Sequence, residues 1–360
     1  MDAFIELIQL AAGTRETLSG IPSSRAEWEE LFRLTAMHNL LGVTFPVIDK
    51  LHDDSDIPLG VYTRWAMAAR TIKHKNERML EYCRDLYRRF SEDGFRTCIF
   101  KGQAAARRYP SPLLRQSGDI DIWVEGDRDA VLDYLRARYT VKKVFYHHCD
   151  AGIFDKVGVE VHFTPTWMNA PAANRKLQAY FESIAGEQFS NYNEELAFNV
   201  PTARFDAVYM LLHMLRHVLD EGLGLRQVLD YFYVLKDLPA MDREQVLSDA
   251  RRLGLTGFAS GIMYVLEKVF GMDRNQMLCA PDESQGQFLL DEIMISGNFG
   301  RFDPRNEHEK DESHVKHARR KLSRSLRFLK YYPGEVLSMP YFMCWQFFWR
   351  RKHNYLYKGR

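Results

Sequence analysis

The sequence has 360 residues, of which 46% are hydrophobic and 27% charged, as in ordinary globular proteins. Its 49 lysines and arginines nearly balance its 48 aspartates and glutamates, so the overall charge points to neither nucleic acid nor membrane. The five cysteines are widely spaced, the acidic N-terminus predicts no export signal, and the longest apolar run, residues 336–349, is interrupted by polar residues and a proline. These features argue against a disulfide scaffold and an integral membrane protein, and they favour a cytoplasmic setting.

The order of the patterns is helical, then α/β, then helical, which predicts an α+β protein. Ser24 and Glu27 have capping-box spacing, and residues 61–90 have the pattern of one long amphipathic helix. Strands are predicted at 97–100, 119–124, 141–146 and 157–163, the last two joined by a turn that contains residues 150–152. Long helices are predicted at 205–238 and 244–270. The predicted regions are helical at 1–90, α/β at 91–200, helical at 201–300, and a basic aromatic extension at 301–360.

Two aspartates lie on the polar face of one predicted strand. Strand side chains repeat every two residues, so Asp119 and Asp121 share a face while Ile120 and Ile122 face a core. Two close carboxylates repel each other unless a divalent cation lies between them, and hard oxygen ligands suit Mg²⁺ or Mn²⁺. The same pattern also occurs on the solvated face of an edge strand.

A third carboxylate lies on a later strand. In residues 159–163, Glu160 and His162 share the polar face. If this strand lies beside the aspartate strand, three acids can bind two cations for an in-line displacement at phosphorus. The alternatives are an exposed glutamate on a half-buried strand and, for His162, either contact with a metal-bound substrate or a place on the rim of the site.

Residues suited to phosphate binding precede the aspartates. Lys101-Gly102 lies where a strand passes into a helix, and a glycine there lets backbone amides approach a phosphate. Arg115, four residues before Asp119, can place a guanidinium on a phosphate, although it can equally be a surface loop residue.

Together these motifs resemble an uncharacterised bacterial nucleotidyltransferase family of the polymerase-β-like superfamily. The resemblance rests on motifs spread over roughly residues 30–290: Phe100-Lys101-Gly102, Tyr109-Pro110, Arg115, Gly118-Asp119-Ile120-Asp121-Ile122, Val159-Glu160-Val161-His162, Leu211-Leu212-His213, His217 and Leu225-Arg226 with Val228-Leu229-Asp230.

The resemblance implies a small mixed sheet with flanking helices, a metal-bound NTP and transfer of a nucleotidyl group. By matching position, Asp119, Asp121 and Glu160 would be the metal ligands and catalytic carboxylates, with Mg²⁺ or Mn²⁺ as the cofactor. The candidate nucleotide-binding residues are Lys101, Gly102, Arg115, Ser117 and Gly118. One departure concerns the phosphate contacts: the superfamily commonly has Gly-Ser, whereas this chain has Gly102-Gln103.

Two histidines on a later helix are secondary candidates for the site. His213 and His217 are four residues apart, the spacing at which two imidazoles can share one metal. The residues between them lack the glutamate of a zinc protease, which favours structural histidines beneath the cleft. Arg226 and Asp230 are expected to form an ion pair on a helix surface or between helices.

The C-terminal segment is strongly basic. Residues 310–360 contain 13 lysines and arginines against three acids, interleaved with aromatic residues and followed by Arg350-Arg351-Lys352. Such a segment can lie on an anionic membrane surface or bind nucleic acid through phosphates and base stacking. The alternative is a helix whose aromatic residues pack into the core.

The sequence thus predicts a metal-dependent enzyme that transfers a nucleoside monophosphate from an NTP to a hydroxyl acceptor. The main alternative is a non-catalytic nucleotide-binding or regulatory module. A glycosyltransferase with an Asp-x-Asp motif explains neither Lys101-Gly102 nor Glu160. The acceptor, the preferred NTP and the oligomeric state are left open.

Overall fold

The computed structural model describes residues 2–54, 56–305, 314–353 and 355. Within these residues, four helices precede the sheet: α1 (Asp2–Ala12), α2 (Arg25–Met37), α3 (Leu41–Asp54) and α4 (Leu59–Glu92). Helix α2 begins at the predicted capping box, in which the Ser24 hydroxyl accepts from the Glu27 amide and the Glu27 side chain bonds back to the Ser24 amide. Helix α4 is the predicted long helix.

The α/β region follows α4. Its elements are β1 (Thr97–Phe100), α5 (Gly102–Ala106), β2 (Ile120–Val124), α6 (Arg128–Arg138), β3 (Thr140–Val144), β4 (His148–Gly152), β5 (Val159–His162), α7 (Pro171–Gln188), β6 (Tyr192–Asn193) and β7 (Phe198–Asn199). The first five strands form one mixed sheet in the order β1-β2-β5-β4-β3, in which only β2 and β5 are parallel among the described residues. The α+β fold with a small mixed sheet is therefore confirmed.

The predicted turn at residues 150–152 is wrong. These residues belong to β4, which lies between β3 and β5 and pairs antiparallel with both. Cys149 and Ala151 are buried in the core of the sheet, so this short segment has the alternation of a strand. The Asp-Ala-Gly composition, which is typical of turns, obscured that pattern.

The helices after the sheet are shorter than the two long ones predicted. They are α8 (Ala203–Asp220), α9 (Leu225–Asp237), α10 (Arg243–Arg252), α11 (Thr256–Phe270), α12 (Glu283–Ser296), α13 (His314–Leu326) and α14 (Pro333–Lys352). Gly222 and Gly254 both have positive φ angles, 142° and 76°, at the breaks between α8 and α9 and between α10 and α11. None of the described helices is long and apolar enough to cross a membrane.

The sheet separates two cores. Ile120, Ile122 and Val161 face one core, which includes the buried sides of α4 and α6. Phe100 and Trp123 face the other core, where helix α8 contributes Phe205 and Tyr209. The candidate carboxylates lie on this second face, so the alternation of β2 sends Ile120 and Ile122 into the first core and Asp121 and Trp123 toward α8.

The C-terminal segment divides its aromatic residues between core and solvent. Phe328, Tyr332 and Phe342 are buried, whereas Tyr341, Phe347 and Phe348 are exposed on α14. The segment is therefore docked on the fold and still presents an aromatic face. Residues 310–313, 354 and 356–360 of the predicted basic segment lie outside the described residues.

Candidate active site

A band of acids and histidines crosses three neighbouring strands on one face of the sheet. Asp121 lies directly opposite Glu160 in the parallel pair of β2 and β5, and Glu160 lies opposite Asp150 of β4. One step along the strands, His162 lies opposite His148. Side chains at opposed positions share a face, so the register itself brings together residues far apart in the sequence.

Glu160 and Asp121 are joined through His162. The Nε2 atom of His162 lies 3.0 Å from Asp121 Oδ1 and 3.4 Å from Glu160 Oε2. Burial alone would lower the pKa of His162, but its hydrogen bonds to the two carboxylates raise it. Burial would likewise raise the pKa of Glu160, but His162, His148 and Lys101 hold it well below its usual range. Asp121, Glu160 and His162 are one of the groups whose ligand atoms lie within 4.8 Å of one another and can hold a metal ion.

Asp119 lies at the mouth of the cleft, one residue before β2, and its side chain is exposed there. It belongs to no group of three or more His, Cys, Asp or Glu ligand atoms within 4.8 Å, among the residues that the structure describes. Partial desolvation within the cleft, followed by repulsion from Asp121 and Glu160, raises the pKa of Asp119 to about 6. Asp119 thus interacts electrostatically with the other two acids while standing apart from their closest cluster.

Lys101 contacts the carboxylate of Asp121. Its Nζ atom lies 2.5 Å from Asp121 Oδ1, and its backbone has a positive φ of 59°, which L-residues rarely adopt. Burial would lower the pKa of Lys101, but Asp121 outweighs it and the pKa is raised. In return, Lys101 keeps the pKa of the buried Asp121 low against the effect of burial.

Arg115 has a partner other than the expected phosphate. Its guanidinium donates from Nε and a terminal nitrogen to the two oxygens of Asp230 on α9, at 2.6 and 2.7 Å. Tyr109 donates its hydroxyl to the same carboxylate at 2.6 Å, and Arg226 lies 3.5 Å from it. The expected pair of Arg226 and Asp230 is therefore present, but Arg115 is the main partner of Asp230.

Helix α4 supplies two site residues that the sequence analysis missed. Asn76 donates to the carbonyls of Leu113 and Arg115, and its side-chain oxygen accepts from Ser117 at 2.5 Å. Lys75 donates to the carbonyls of Ser117 and Gly118. Together they fix the loop before Asp119. Asn76 is 1% exposed and lies three residues before Met79 on the apolar side of α4. A polar residue on the apolar side of a helix was the signal in the sequence that could have identified it.

These residues surround a cleft of about 580 Å³. Its lining includes the cations Lys75, Lys101, Arg115, Arg226 and Arg301, the acids Asp119, Asp121, Glu160, Glu221 and Asp230, the glycines Gly102 and Gly118, and Ser117, His213 and His217. Gly102 has a positive φ of 32°, so a side chain there would be strained. A cavity of about 640 Å³ between the N-terminal helices and Tyr109 is lined mainly by apolar residues, and none of its described lining residues belongs to a group of candidate metal ligands.

His213 and His217 face each other in this cleft. Their Nε2 atoms are 3.0 Å apart, and burial lowers the pKa of both, that of His217 to about 3. Neither belongs to a cluster of three candidate metal ligands in the described part of the chain. The geometry therefore favours two neutral histidines that share a hydrogen bond on the floor of the cleft.

A mixed sheet that presents paired carboxylates to a cleft lined by both acids and cations is consistent with a nucleotidyltransferase domain. The chain belongs to the uncharacterised nucleotidyltransferase family, whose model matches residues 24–271, more than half of the chain. No curated protein matches it. The resemblance to nucleotidyltransferases noted in the sequence is therefore confirmed at the level of the family.

Proposed function

We propose that the protein is a metal-dependent nucleotidyltransferase that moves a nucleoside monophosphate from an NTP to a hydroxyl acceptor and releases pyrophosphate. The observation that carries this proposal is the parallel register of β2 and β5, which sets Asp121 opposite Glu160 on a face that opens to the cleft. Asp119 lies beside them at the mouth of the cleft. Membership in a nucleotidyltransferase family supports the same reaction class.

Asp119, Asp121 and Glu160 are the residues suited to hold Mg²⁺ or Mn²⁺. Their carboxylate oxygens are the ligands that these hard cations prefer. The donor set fits, because burial and then repulsion from Asp121 and Glu160 raise the pKa of Asp119, and a bound cation would relieve that repulsion. The ion would bind the triphosphate and polarise the reacting phosphoryl group.

The protein's own cations and loop residues would orient the nucleotide. Lys75 and Arg226 line the cleft, where their charges suit a triphosphate. Gly102 lines the cleft at the start of α5, and its positive φ of 32° is one that residues with a side chain rarely adopt. Lys101, held beside Asp121, would offset charge that develops during transfer. Ser117 would act indirectly, through its hydrogen bond to Asn76, which shapes the loop before Asp119.

The second candidate function is a nucleotide-binding module without turnover. The ion pair between Lys101 and Asp121 favours this alternative, because the ammonium already neutralises a carboxylate that a divalent cation would need. In either case we place the protein in a reducing compartment such as the cytoplasm, since all five cysteines are free thiols.

The proposal is tested with NTPs that carry a radiolabel in either the α- or the γ-phosphate, incubated with the protein, Mg²⁺ and a host lysate. Nucleotidyl transfer predicts that an acceptor is labelled from the α-phosphate only, with release of pyrophosphate. The Asp119→Asn variant should lose this labelling, whereas Asp133→Asn, at an exposed position on α6, should retain it. Labelling from the γ-phosphate contradicts the proposal, and NTP binding without labelling supports the module.

A further inference from the structure

Three histidines meet beside the carboxylates, on the side of the sheet toward β4. His147 precedes β4, His148 begins it and His162 ends β5, and each has a ring nitrogen within 4.8 Å of the others. Each of the three residues as a whole is more than nine-tenths buried. From this cluster we propose a second metal site, which takes a transition-metal ion such as Zn²⁺ through nitrogen ligands.

Two ring nitrogens of this cluster have no hydrogen-bond partner among the described residues. His147 Nε2 and His148 Nδ1 lie 2.7 Å apart, so the two atoms share one proton. Whichever ring carries that proton, Nδ1 of His147 is buried without a partner among the described residues. His162 uses Nε2 for Asp121 and Glu160, and its Nδ1 is likewise buried and unpartnered. A bound ion would satisfy nitrogens that the protein leaves unpaired.

The chemistry of the cluster favours a transition metal over Mg²⁺. Imidazole suits Zn²⁺, Cu²⁺ and Ni²⁺, whereas Mg²⁺ prefers oxygen. His148 Nε2 lies 3.5 Å from Asp150 and 3.8 Å from Glu160, so acids flank the three rings and compensate a divalent charge. Arg216, a nearby cation, is paired with Asp220, which compensates its charge.

Such an ion would position the carboxylate site. Coordination through Nδ1 of His162 leaves the proton on Nε2, where it is donated to Asp121. The ion would thereby fix the tautomer and the orientation of His162. His147 and His148 would then be positioning residues for Asp121. This inference goes beyond the proposed nucleotidyl transfer and does not depend on it, since the metal is measured without any NTP.

The test is a calorimetric titration of the full-length, metal-free protein with Zn²⁺ in excess Mg²⁺. The result expected is one Zn²⁺ per chain, with affinity reduced at least tenfold in His147→Gln and in His148→Gln. His74→Gln is the matched control, because His74 is exposed on α4 and paired with Glu77, and its affinity should equal that of the unaltered protein. Circular dichroism confirms that each variant is folded.

Three results would overturn the site. They are displacement of all Zn²⁺ by excess Mg²⁺, unchanged Zn²⁺ affinity in both folded histidine variants, and Zn²⁺ binding that is lost in Asp119→Asn but retained in His147→Gln. If the histidine variants do not fold, the site is tested by the visible absorption of Co²⁺ added to the unaltered protein. Intense visible absorption bands from four-coordinate nitrogen ligation support the site, and the weak bands of a six-coordinate oxygen site contradict it. Failure of nucleotidyl transfer would leave each of these results unaffected.

Discussion

Replacing Arg115 by alanine is expected to destabilise the fold rather than only weaken nucleotide binding. Arg115 is 3% exposed and Asp230 7%, and two short hydrogen bonds join them across the 115 residues between the loop before β2 and helix α9. Burial alone would raise the pKa of Asp230, but Arg115 holds it below its usual range. The variant therefore leaves a buried carboxylate without its main partner.

The expected cost is about 3–5 kcal/mol, the typical effect of removing one partner of a buried ion pair. That is a large part of a typical unfolding free energy of roughly 5–15 kcal/mol. Tyr109 and Arg226 still contact Asp230, which places the effect toward the lower end of this range. The matched control is Arg136→Ala, since Arg136 lies 3.6 Å from Asp133 on the surface of α6 and such pairs contribute about 0–1 kcal/mol.

The assay is urea unfolding of both variants and of the unaltered protein. A second variant that combines Arg115→Met with Asp230→Leu should recover part of the loss, because replacing both charges leaves neither unpaired. The reasoning is refuted if Arg115→Ala keeps its unfolding free energy within about 1 kcal/mol while its NTP affinity falls. That result would support the direct phosphate contact expected from the sequence.

Three other predictions concern separate parts of the molecule. Burial lowers the pKa of His38 to about 3, so as the pH falls below 6.5 the unfolded chain binds a proton before the folded protein does. The free energy of unfolding therefore decreases by roughly 1.4 kcal/mol per pH unit down to the folded pKa. Urea unfolding at pH 7 and 5 should show a smaller decrease in His38→Asn than in the unaltered protein, and equal decreases would contradict this prediction. Phe348 and Arg351 are exposed on α14, so replacing both by serine should weaken co-sedimentation with anionic liposomes at low salt, whereas equal binding of both proteins would exclude this face. Lys101→Met frees the Asp121 carboxylate, so Mg²⁺ affinity measured without nucleotide should rise roughly tenfold, and an unchanged affinity would show that Lys101 does not compete with the ion.

The strands were predictable where alternation extends over several residues. The run at 97–100 and the alternation of acids with isoleucine around Asp121 indicated β1 and β2 within one residue. The long helix at 205–238 was not divided, because its apolar pattern continues on both sides of Gly222 and only the backbone conformation reveals the break.

The site was predictable only where neighbouring strands carry it. Alternation placed Glu160 on a polar face, and the parallel register then set it opposite Asp121, as the sequence analysis required. The partner of Arg115 could not be predicted in this way, because Asp230 lies on a distant helix and no local sequence pattern signals their contact. Lys101 was expected on a phosphate. The antiparallel pairing of β1 with β2 sets Phe100 opposite Asp121, and the positive φ of Lys101, just after the strand, interrupts the alternation that would send its side chain to the other face.

The most direct test of the central claim is a titration of NTP into the protein with and without Mg²⁺, repeated with Asp121→Asn. Asparagine keeps the shape of the side chain and removes the charge that a cation requires. The account predicts that NTP binding by the unaltered protein depends on Mg²⁺ and weakens at least about tenfold in the folded variant, a change of roughly 1.4 kcal/mol. The control Asp133→Asn, at an exposed position on α6, should bind as the unaltered protein does. NTP binding that is independent of Mg²⁺, or equal in Asp121→Asn and the unaltered protein, would contradict the carboxylate site.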